Sequence, residues 1–152
     1  MTIAWVYLDK KSAAINALKD YADMEYIIQH TPFDVADARD KMSVVRSATI
    51  SDMPKHTPNP HAGEERIAAA IDEIDVLKER YRRALEYMEW FRPAWEQLGE
   101  DEQFLLRQFF CLEISKTDAV CNIYDKLYIE RSQAYNRKEK AVAHLALLLY
   151  GK

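Results

Sequence analysis

Apolar residues in the last third of the chain recur at helical spacing on both sides of a short break. The pattern predicts a short helix from about Lys116 to Lys126 and a longer one from about Arg131 to Tyr150, separated by Leu127-Tyr128-Ile129. The apolar positions expected to meet between them are Ile123, Leu127, Ile129 and Ala134, and the stripe is expected to extend along the longer helix through Ala141, Leu145, Leu148 and Leu149. Two helices that cross over a small core in this way are typical of a helix-turn-helix. We assign it to residues 98–152.

The start of the shorter helix and three unusual residues refine this prediction. Ser115-Lys116-Thr117-Asp118 matches the [ST]-x-x-[DE] pattern, in which a side-chain oxygen caps the amide groups at a helix start. Tyr124 stands where a small residue usually lets the helices approach, Tyr128 where glycine is common in the turn, and Arg137 where an apolar residue ordinarily closes the core. Because Ala134 is small, we expect the Tyr124 ring to fill the space beside it. Tyr124→Ala would then cost about 3–5 kcal/mol.

The first part of the chain has a helical pattern that prolines interrupt. An amphipathic helix is predicted from Leu8 to about His30, and Thr31-Pro32 is expected to end it because proline lacks an amide proton and clashes with the preceding turn. A shorter helix from Asp34 to about Val45 would complete an N-terminal helical region, residues 1–45. Residues 46–63 include Pro54, Pro58 and Pro60 among small polar residues, which predicts a linker.

Residues 64–97 are predicted to form a long packing helix, which Arg92-Pro93 ends or kinks. Its expected seam, at four-three spacing, is Ile67, Ile71, Ile74, Lys78, Tyr81, Leu85 and Met88. The seam needs a partner helix, either the N-terminal helix of the same chain or the same helix of a second copy. We expect a homodimer held mainly by residues before Pro93. Three aromatic side chains are expected to join the core at the junction with the last third: Trp90, Phe91 and Trp95.

Composition supports an all-α protein. The chain has 152 residues, 49% of them hydrophobic, with three glycines and five prolines; this content allows a core and argues against an all-β or disordered chain. No apolar run reaches the roughly 20 residues of a membrane span, and no signal-peptide pattern is present, so a cytoplasmic protein without a membrane partner is expected. Cys111 and Cys121 are expected to be reduced core residues.

The pattern of reactive residues argues against an enzyme. The four histidines are scattered, and no His-x-x-x-His or Cys-x-x-Cys spacing presents a zinc site. Asp72, Glu73 and Asp75 lie on the polar side of their predicted helix, where solvation explains them. Three glycines are too few for a phosphate-cradling loop. No catalytic residue, metal site or cofactor is therefore predicted.

The charge distribution favours DNA binding by the last third. The net charge is −4, but residues 126–140 carry five cations and two anions, a local charge of +3. Residues 1–125 carry −8, and Lys152 supplies the remaining positive charge. DNA affinity depends on how many phosphates a local surface neutralises and not on the total charge.

Several motifs together resemble those of a known group of proteins. In the last third they are Leu98-Gly99-Glu100-Asp101-Glu102-Gln103, Ile114-Ser115-Lys116-Thr117-Asp118-Ala119, Ile129-Glu130-Arg131-Ser132-Gln133-Ala134-Tyr135, Lys140-Ala141 and Leu149-Tyr150-Gly151. Weaker N-terminal matches are Tyr7-Leu8-Asp9-Lys10-Lys11, Ser51-Asp52-Met53-Pro54 and Ile71-Asp72-Glu73-Ile74. The chain resembles small prophage and mobile-element regulators of the ArpU type, the phage late-operon activators. Their C-terminal helix-turn-helix is similar to the fourth conserved region of sigma factors. The resemblance implies positive control of a phage or mobile-element operon.

The residues themselves predict how double-stranded DNA is bound. The shorter helix would cross the backbone, and the longer one would enter the major groove, where Arg can pair with guanine and Gln or Asn with adenine. Residues predicted near phosphates are Ser115, Lys116, Thr117, Lys138 and Lys140. Residues predicted to reach base edges are Arg131, Ser132, Gln133, Tyr135 and Asn136.

Two other functions remain compatible with the sequence. One is an adapter that binds RNA polymerase or a sigma factor with little DNA affinity of its own, which the acidic residues 1–125 would fit. Even as a DNA reader, the protein could contact RNA polymerase as a further partner. The second alternative is a structural helical phage protein, in which the last helix is only core. This alternative requires Arg131, Gln133 and Asn136 to be buried or packed.

Overall fold

The computed structural model describes residues 8–50 and 61–151, and every regular element in those two ranges is helical. Five α-helices follow one another: α1 (Lys10–Ile50), α2 (Ala62–Gln97), α3 (Glu100–Leu106), α4 (Lys116–Leu127) and α5 (Arg131–Tyr150). A single π-helical turn, Arg107–Cys111, continues directly from α3. The all-α prediction is confirmed. The two helices expected in the last third are α4, which extends one residue further than predicted, and α5, which has the predicted bounds.

Helix α1 continues through Pro32, so the predicted stop at Thr31-Pro32 and the separate helix from Asp34 are wrong. The lost amide hydrogen bond costs roughly 3 kcal/mol in a helix interior. The Thr31 hydroxyl donates to the Ile27 carbonyl at 2.6 Å, which adds a hydrogen bond in the same turn. Buried and half-buried positions also run on at three-four spacing across the proline, through Ile28, Thr31, Val35, Ala38 and Met42. Packing of this continuous face holds the helix together.

Helices cover most of both described ends of the segment predicted to be a linker. Helix α1 extends to Ile50 and α2 begins at Ala62, so the described ends of residues 46–63 are mostly helical. Pro54, Pro58 and Pro60 lie outside the described residues, as does Ser51-Asp52-Met53-Pro54. Helix α2 passes through Pro93 and ends at Gln97.

The chain divides into two compact units, and both long helices pass from one unit to the other. The first unit is Met1–Met24 with Tyr87–Lys152, and the second is Glu25–Glu86. The division into residues 1–45, 46–63, 64–97 and 98–152 rests on local sequence patterns and stays a prediction.

The main core of the first unit joins the start of α1, the end of α2, α3 and α5. Leu18, Phe91, Leu106 and Leu145 are each at most 1% exposed. The Phe91 ring lies among those of Tyr21, Tyr87 and Trp95, with centroid distances of 5.5, 5.3 and 6.0 Å. The Tyr87 hydroxyl donates to the Ala17 carbonyl, and burial raises the pKa of Tyr87. Of the three junction aromatics, Phe91 and Trp95 are core as predicted, whereas Trp90 is 42% exposed.

The predicted seam of α2 is confirmed at Ile67, Ile74, Tyr81 and Met88, which are buried or half-buried, and is wrong at the three positions between them. Ile71, Lys78 and Leu85 are exposed, and the residue before each of them, Ala70, Leu77 and Ala84, is buried or half-buried. Alanine contributes little hydrophobicity, so the sequence pattern favoured Ile71 over Ala70 and Leu85 over Ala84. At the third position the four-three spacing selected Lys78, although Leu77 precedes it. Arg39 and Met42 of α1 line the same cavity as Ile71 and Ile74 of α2, so α1 of the same chain lies beside α2 at this point.

The two cysteines differ in environment. Cys111 is half-buried against the main core, and burial raises the pKa of its thiol. Cys121 is exposed on α4, so the expectation that both cysteines lie in the core is wrong for Cys121. Neither of these described residues forms a disulfide.

Candidate nucleic-acid interface

A small second core holds α4 and α5 together within the first unit. Its centre is formed by Leu105 of α3, Ile123 of α4, Ile129 of the turn and Ala134 of α5, all at most 6% exposed. Phe104, Phe109 and Leu127 pack around this centre. Helices α4 and α5 each bury one apolar stripe, and where they cross each helix covers the stripe of the other.

Polar contacts fix the same elements. The Asn122 side-chain amide donates to Oε1 of Gln108 at 3.0 Å, and this joins α4 to the nearly buried glutamine of the π-helical turn. The Glu102 carboxylate accepts from the Gly99 amide at 3.1 Å at the start of α3. The same carboxylate lies 2.9 Å from Nδ1 of His144 on α5. The position of α5 is therefore set by contacts along most of its length.

The predicted cap of α4 is confirmed. Ser115 has extended backbone geometry, and its hydroxyl oxygen accepts from the Asp118 amide at 3.1 Å. The same hydroxyl donates to the Asp118 carboxylate at 2.8 Å. Capping of this kind contributes about 1 kcal/mol. The Ser115 hydroxyl therefore already donates its proton to Asp118 within the protein. The side chains of Lys116 and Thr117 are exposed to solvent.

The turn between α4 and α5 contains a left-handed residue at the position where the sequence suggested that glycine is common. Tyr128 has φ 55° and ψ 39°, and its side chain is 83% exposed. A residue with a Cβ atom is strained by about 1–2 kcal/mol in this conformation, whereas glycine is not.

We expect Tyr128→Gly to stabilise the protein by about 0.5–1 kcal/mol, because the strain relieved exceeds the flexibility that glycine adds to the unfolded chain. Little packing is lost, since the ring is exposed. Urea unfolding measures the change. Tyr128→Ala is the matched control: it removes the ring, keeps Cβ and is expected to leave the stability near that of the wild type. Equal stabilities for the glycine and alanine variants would contradict the argument.

Two predicted core positions are exposed. Tyr124 is 55% exposed, so its ring does not fill the space beside Ala134. Leu105, Ile123 and Ile129 pack in the same cluster as Ala134 and supply this volume instead. Arg137 is also exposed, and its position does not close the core. The expectations for both residues are wrong. For Tyr124, the adjacent Ile123 takes the buried position on α4. For Arg137, the apolar spacing fixes the stripe on α5 only to within about one residue.

Helix α5 presents a polar face to solvent. Its exposed members at the first, second, fifth and ninth positions of one stripe are Ser132, Gln133, Asn136 and Lys140. Arg131 at the start of the helix and Arg137 at the edge of the face are exposed as well. Sequence reasoning missed Arg137 as a surface cation, since its spacing placed it in the core. The face combines amide groups able to read bases with cations able to bind phosphates.

Tyr135 and Lys138 differ from the other predicted site residues, because both are half-buried. The Lys138 ammonium lies 5.0 Å from the ring centroid of Tyr135, 5.2 Å from that of Phe109 and 6.0 Å from that of Phe110. The one sequence signal for this cluster is the adjacent aromatic pair Phe109-Phe110. The structure therefore places Lys138 among aromatic rings and apart from the exposed stripe.

The described residues contain no helix long and apolar enough to cross a membrane. Over the same ranges, no three His, Cys, Asp or Glu side chains gather into a group that could hold a metal ion. Comparisons with known protein families, curated proteins and solved structures find no match to this chain.

Proposed function

We propose that this protein is a sequence-specific DNA-binding transcriptional regulator, in which α5 enters the major groove and α4 lies across the backbone. The observation that carries the proposal is the exposed face of α5. Four polar side chains follow one stripe of a helix whose opposite side is fixed by Ile123, Ile129 and Ala134. An α-helix of this kind fits the major groove of B-DNA, which is about 12 Å wide.

The exposed side chains of α5 suit separate tasks. Gln133 and Asn136 can each form two hydrogen bonds with adenine, and Arg131 can do so with guanine. Arg137 and Lys140 can neutralise phosphates at the edge of the groove, as can Lys116 on α4. The local charge of +3 in residues 126–140 supports the same assignment. The resemblance to prophage regulators makes a phage or mobile-element operon the target that we propose, in the cytoplasm, with RNA polymerase as a further partner.

The exposure of α5 favours this proposal over a structural role. A structural helical protein requires Arg131, Gln133 and Asn136 to be buried or packed, yet all three are exposed. The adapter alternative predicts instead that RNA polymerase or a sigma factor is bound while DNA is not.

Selection from a random-sequence duplex library with the full-length protein tests the proposal. We expect a short motif to be enriched over successive rounds, and a gel shift to confirm its preference over a scrambled duplex of equal composition. A folded protein that enriches no motif would contradict the proposal. Retention of RNA polymerase by that same protein would then point to the adapter function.

We also propose that the regulator is a homodimer, because one helix-turn-helix contacts little DNA and specific binding usually pairs two half-sites. Three apolar side chains of α1 in the second unit are exposed at seven- and eleven-residue spacing, which places them on one face of the helix. They are Tyr26, Phe33 and Val44, exposed by 60, 71 and 69%.

Phe33→Glu is therefore expected to convert a dimer into a monomer, since a carboxylate would be desolvated at the interface. Sedimentation of the full-length protein at tens of micromolar measures the change. Tyr128→Glu is the matched control, because it places the same charge at an exposed aromatic position outside this face. A monomeric wild type, or a dimer that Phe33→Glu leaves intact, would contradict the assignment.

A further inference from the structure

Three aromatic rings form a platform beside the start of α5: Phe109 and Phe110 of the π-helical turn, and Tyr135 of α5. The centroids of Phe109 and Tyr135 are 5.4 Å apart with planes tilted by 46°, and those of Phe109 and Phe110 are 6.4 Å apart. Aromatic pairs at these separations attract beyond the effect of buried area alone. We call these three rings the aromatic platform.

Lys138 lies against the aromatic platform and not on the exposed polar face of α5. Its ammonium lies within 6.0 Å of all three ring centroids, and only 19% of its side chain is exposed. A cation over aromatic faces at this distance is attracted by the ring electrons, and more strongly as water is excluded. The Glu139 carboxylate lies 3.5 Å from the same ammonium. Moving Lys138 to a phosphate would give up these contacts.

Arg131 contacts the aromatic platform at Tyr135. Its guanidinium carbon lies 5.8 Å from the Tyr135 centroid, one helical turn away along α5. Arg131 is the first residue of α5, and its side chain is exposed to solvent. A free arginine side chain loses up to about 2 kcal/mol of conformational entropy when it is fixed. A ring that already restrains the guanidinium reduces this loss on binding.

We infer that Tyr135 is a positioning residue for sequence specificity: its ring orients the Arg131 guanidinium toward a guanine edge and does not itself contact a base. Lys138 is the structural cation that holds this ring against Phe109 and Phe110, and it does not bind phosphate. This inference rests on the proposed function, since it names which of the predicted contacts reads sequence directly.

The first test needs no DNA. Nitrogen relaxation of the Arg131 Nε–H group measures how tightly the guanidinium is held in the free full-length protein. Tyr135→Phe keeps the ring and is expected to leave the Arg131 order parameter unchanged. Tyr135→Leu keeps apolar bulk without a ring and is expected to lower it. An equally mobile Arg131 in all three proteins would overturn the positioning role.

The second test uses the duplex that the wild-type protein enriches from a random library and a scrambled duplex of equal composition. Tyr135→Leu is expected to reduce the preference for the enriched duplex roughly two- to fivefold, the effect of an exposed cation–aromatic contact. Tyr135→Phe should retain the preference. In the Arg131→Ala background, Tyr135→Leu should cause no further loss, because there is no guanidinium left to orient.

Lys138 is tested by salt dependence. Lys138→Met keeps the apolar stem, and the slope of log affinity against log salt is expected to stay as in the wild type. Lys140→Met should flatten this slope by about one. A slope flattened equally by Lys138→Met would overturn the structural role of Lys138.

The outcomes separate a failure of this inference from a failure of the proposed function. If Arg131→Ala relaxes specificity while Tyr135→Leu does not, only the inference fails. If the wild type enriches no motif, the proposed function itself fails, and the relaxation measurement still decides whether Tyr135 holds Arg131.

Discussion

Ile123→Ala is expected to destabilise the protein by about 2–5 kcal/mol, because the substitution leaves a cavity in the small core between α4 and α5. Ile123 is completely buried there and packs with Leu105, Ile129 and Ala134. Among the described residues this core has four buried members, so few buried neighbours can move to fill the space. Urea unfolding followed by circular dichroism measures the loss.

Tyr124→Ala is the control for this prediction, since the two residues are adjacent on α4. The Tyr124 ring is 55% exposed, and its removal is expected to change the stability by less than about 1 kcal/mol. The larger loss of about 3–5 kcal/mol that the sequence pattern suggested for Tyr124 would require a buried ring. A greater loss for Tyr124→Ala than for Ile123→Ala would contradict the described packing.

Asn136→Ala is expected to weaken binding to the enriched duplex by about 1–3 kcal/mol, or roughly 5- to 150-fold, with little effect on a scrambled duplex. Asn136 is exposed at the centre of the polar face of α5, between Ser132 and Lys140. Its amide can bond an adenine edge at two points, and alanine removes both bonds. Fluorescence anisotropy at several salt concentrations separates this loss from a general electrostatic one.

Asn16→Ala supplies the matched control, because Asn16 is also an exposed helical asparagine but lies on α1. It is expected to leave both affinities unchanged. Equal losses on the enriched and scrambled duplexes for Asn136→Ala would show that this residue does not read sequence.

The sequence predicted most of the geometry around the candidate interface. The capping pattern at Ser115 and the apolar spacing around Ile123, Ile129 and Ala134 located α4, the turn and α5 to within one residue. Tyr128, which stands where glycine is common in the turn, has the left-handed conformation there. These features depend on short-range interactions along one helix or one turn, and such interactions are expressed directly in local sequence.

Other features depend on partners that are distant in sequence. The continuation of α1 through Pro32 follows from a packing face that extends on both sides of the proline. The seam of α2 includes Ala84, which is completely buried, whereas a hydrophobicity pattern favours the exposed Leu85. The burial of Lys138 depends on Phe109 and Phe110 in the preceding π-helical turn. No local pattern in α5 distinguishes this lysine from the exposed Lys140.

The central claim is that α5 reads DNA through its exposed face, and the most direct test is a nuclear magnetic resonance titration of the full-length protein with the enriched duplex. We expect the largest shifts at the side-chain amides of Gln133 and Asn136 and at the backbone of residues 131–140, with smaller shifts at the start of α4. The scrambled duplex should perturb mainly the cationic residues. Shifts confined to residues 25–86, with Gln133 and Asn136 unchanged, would contradict the claim.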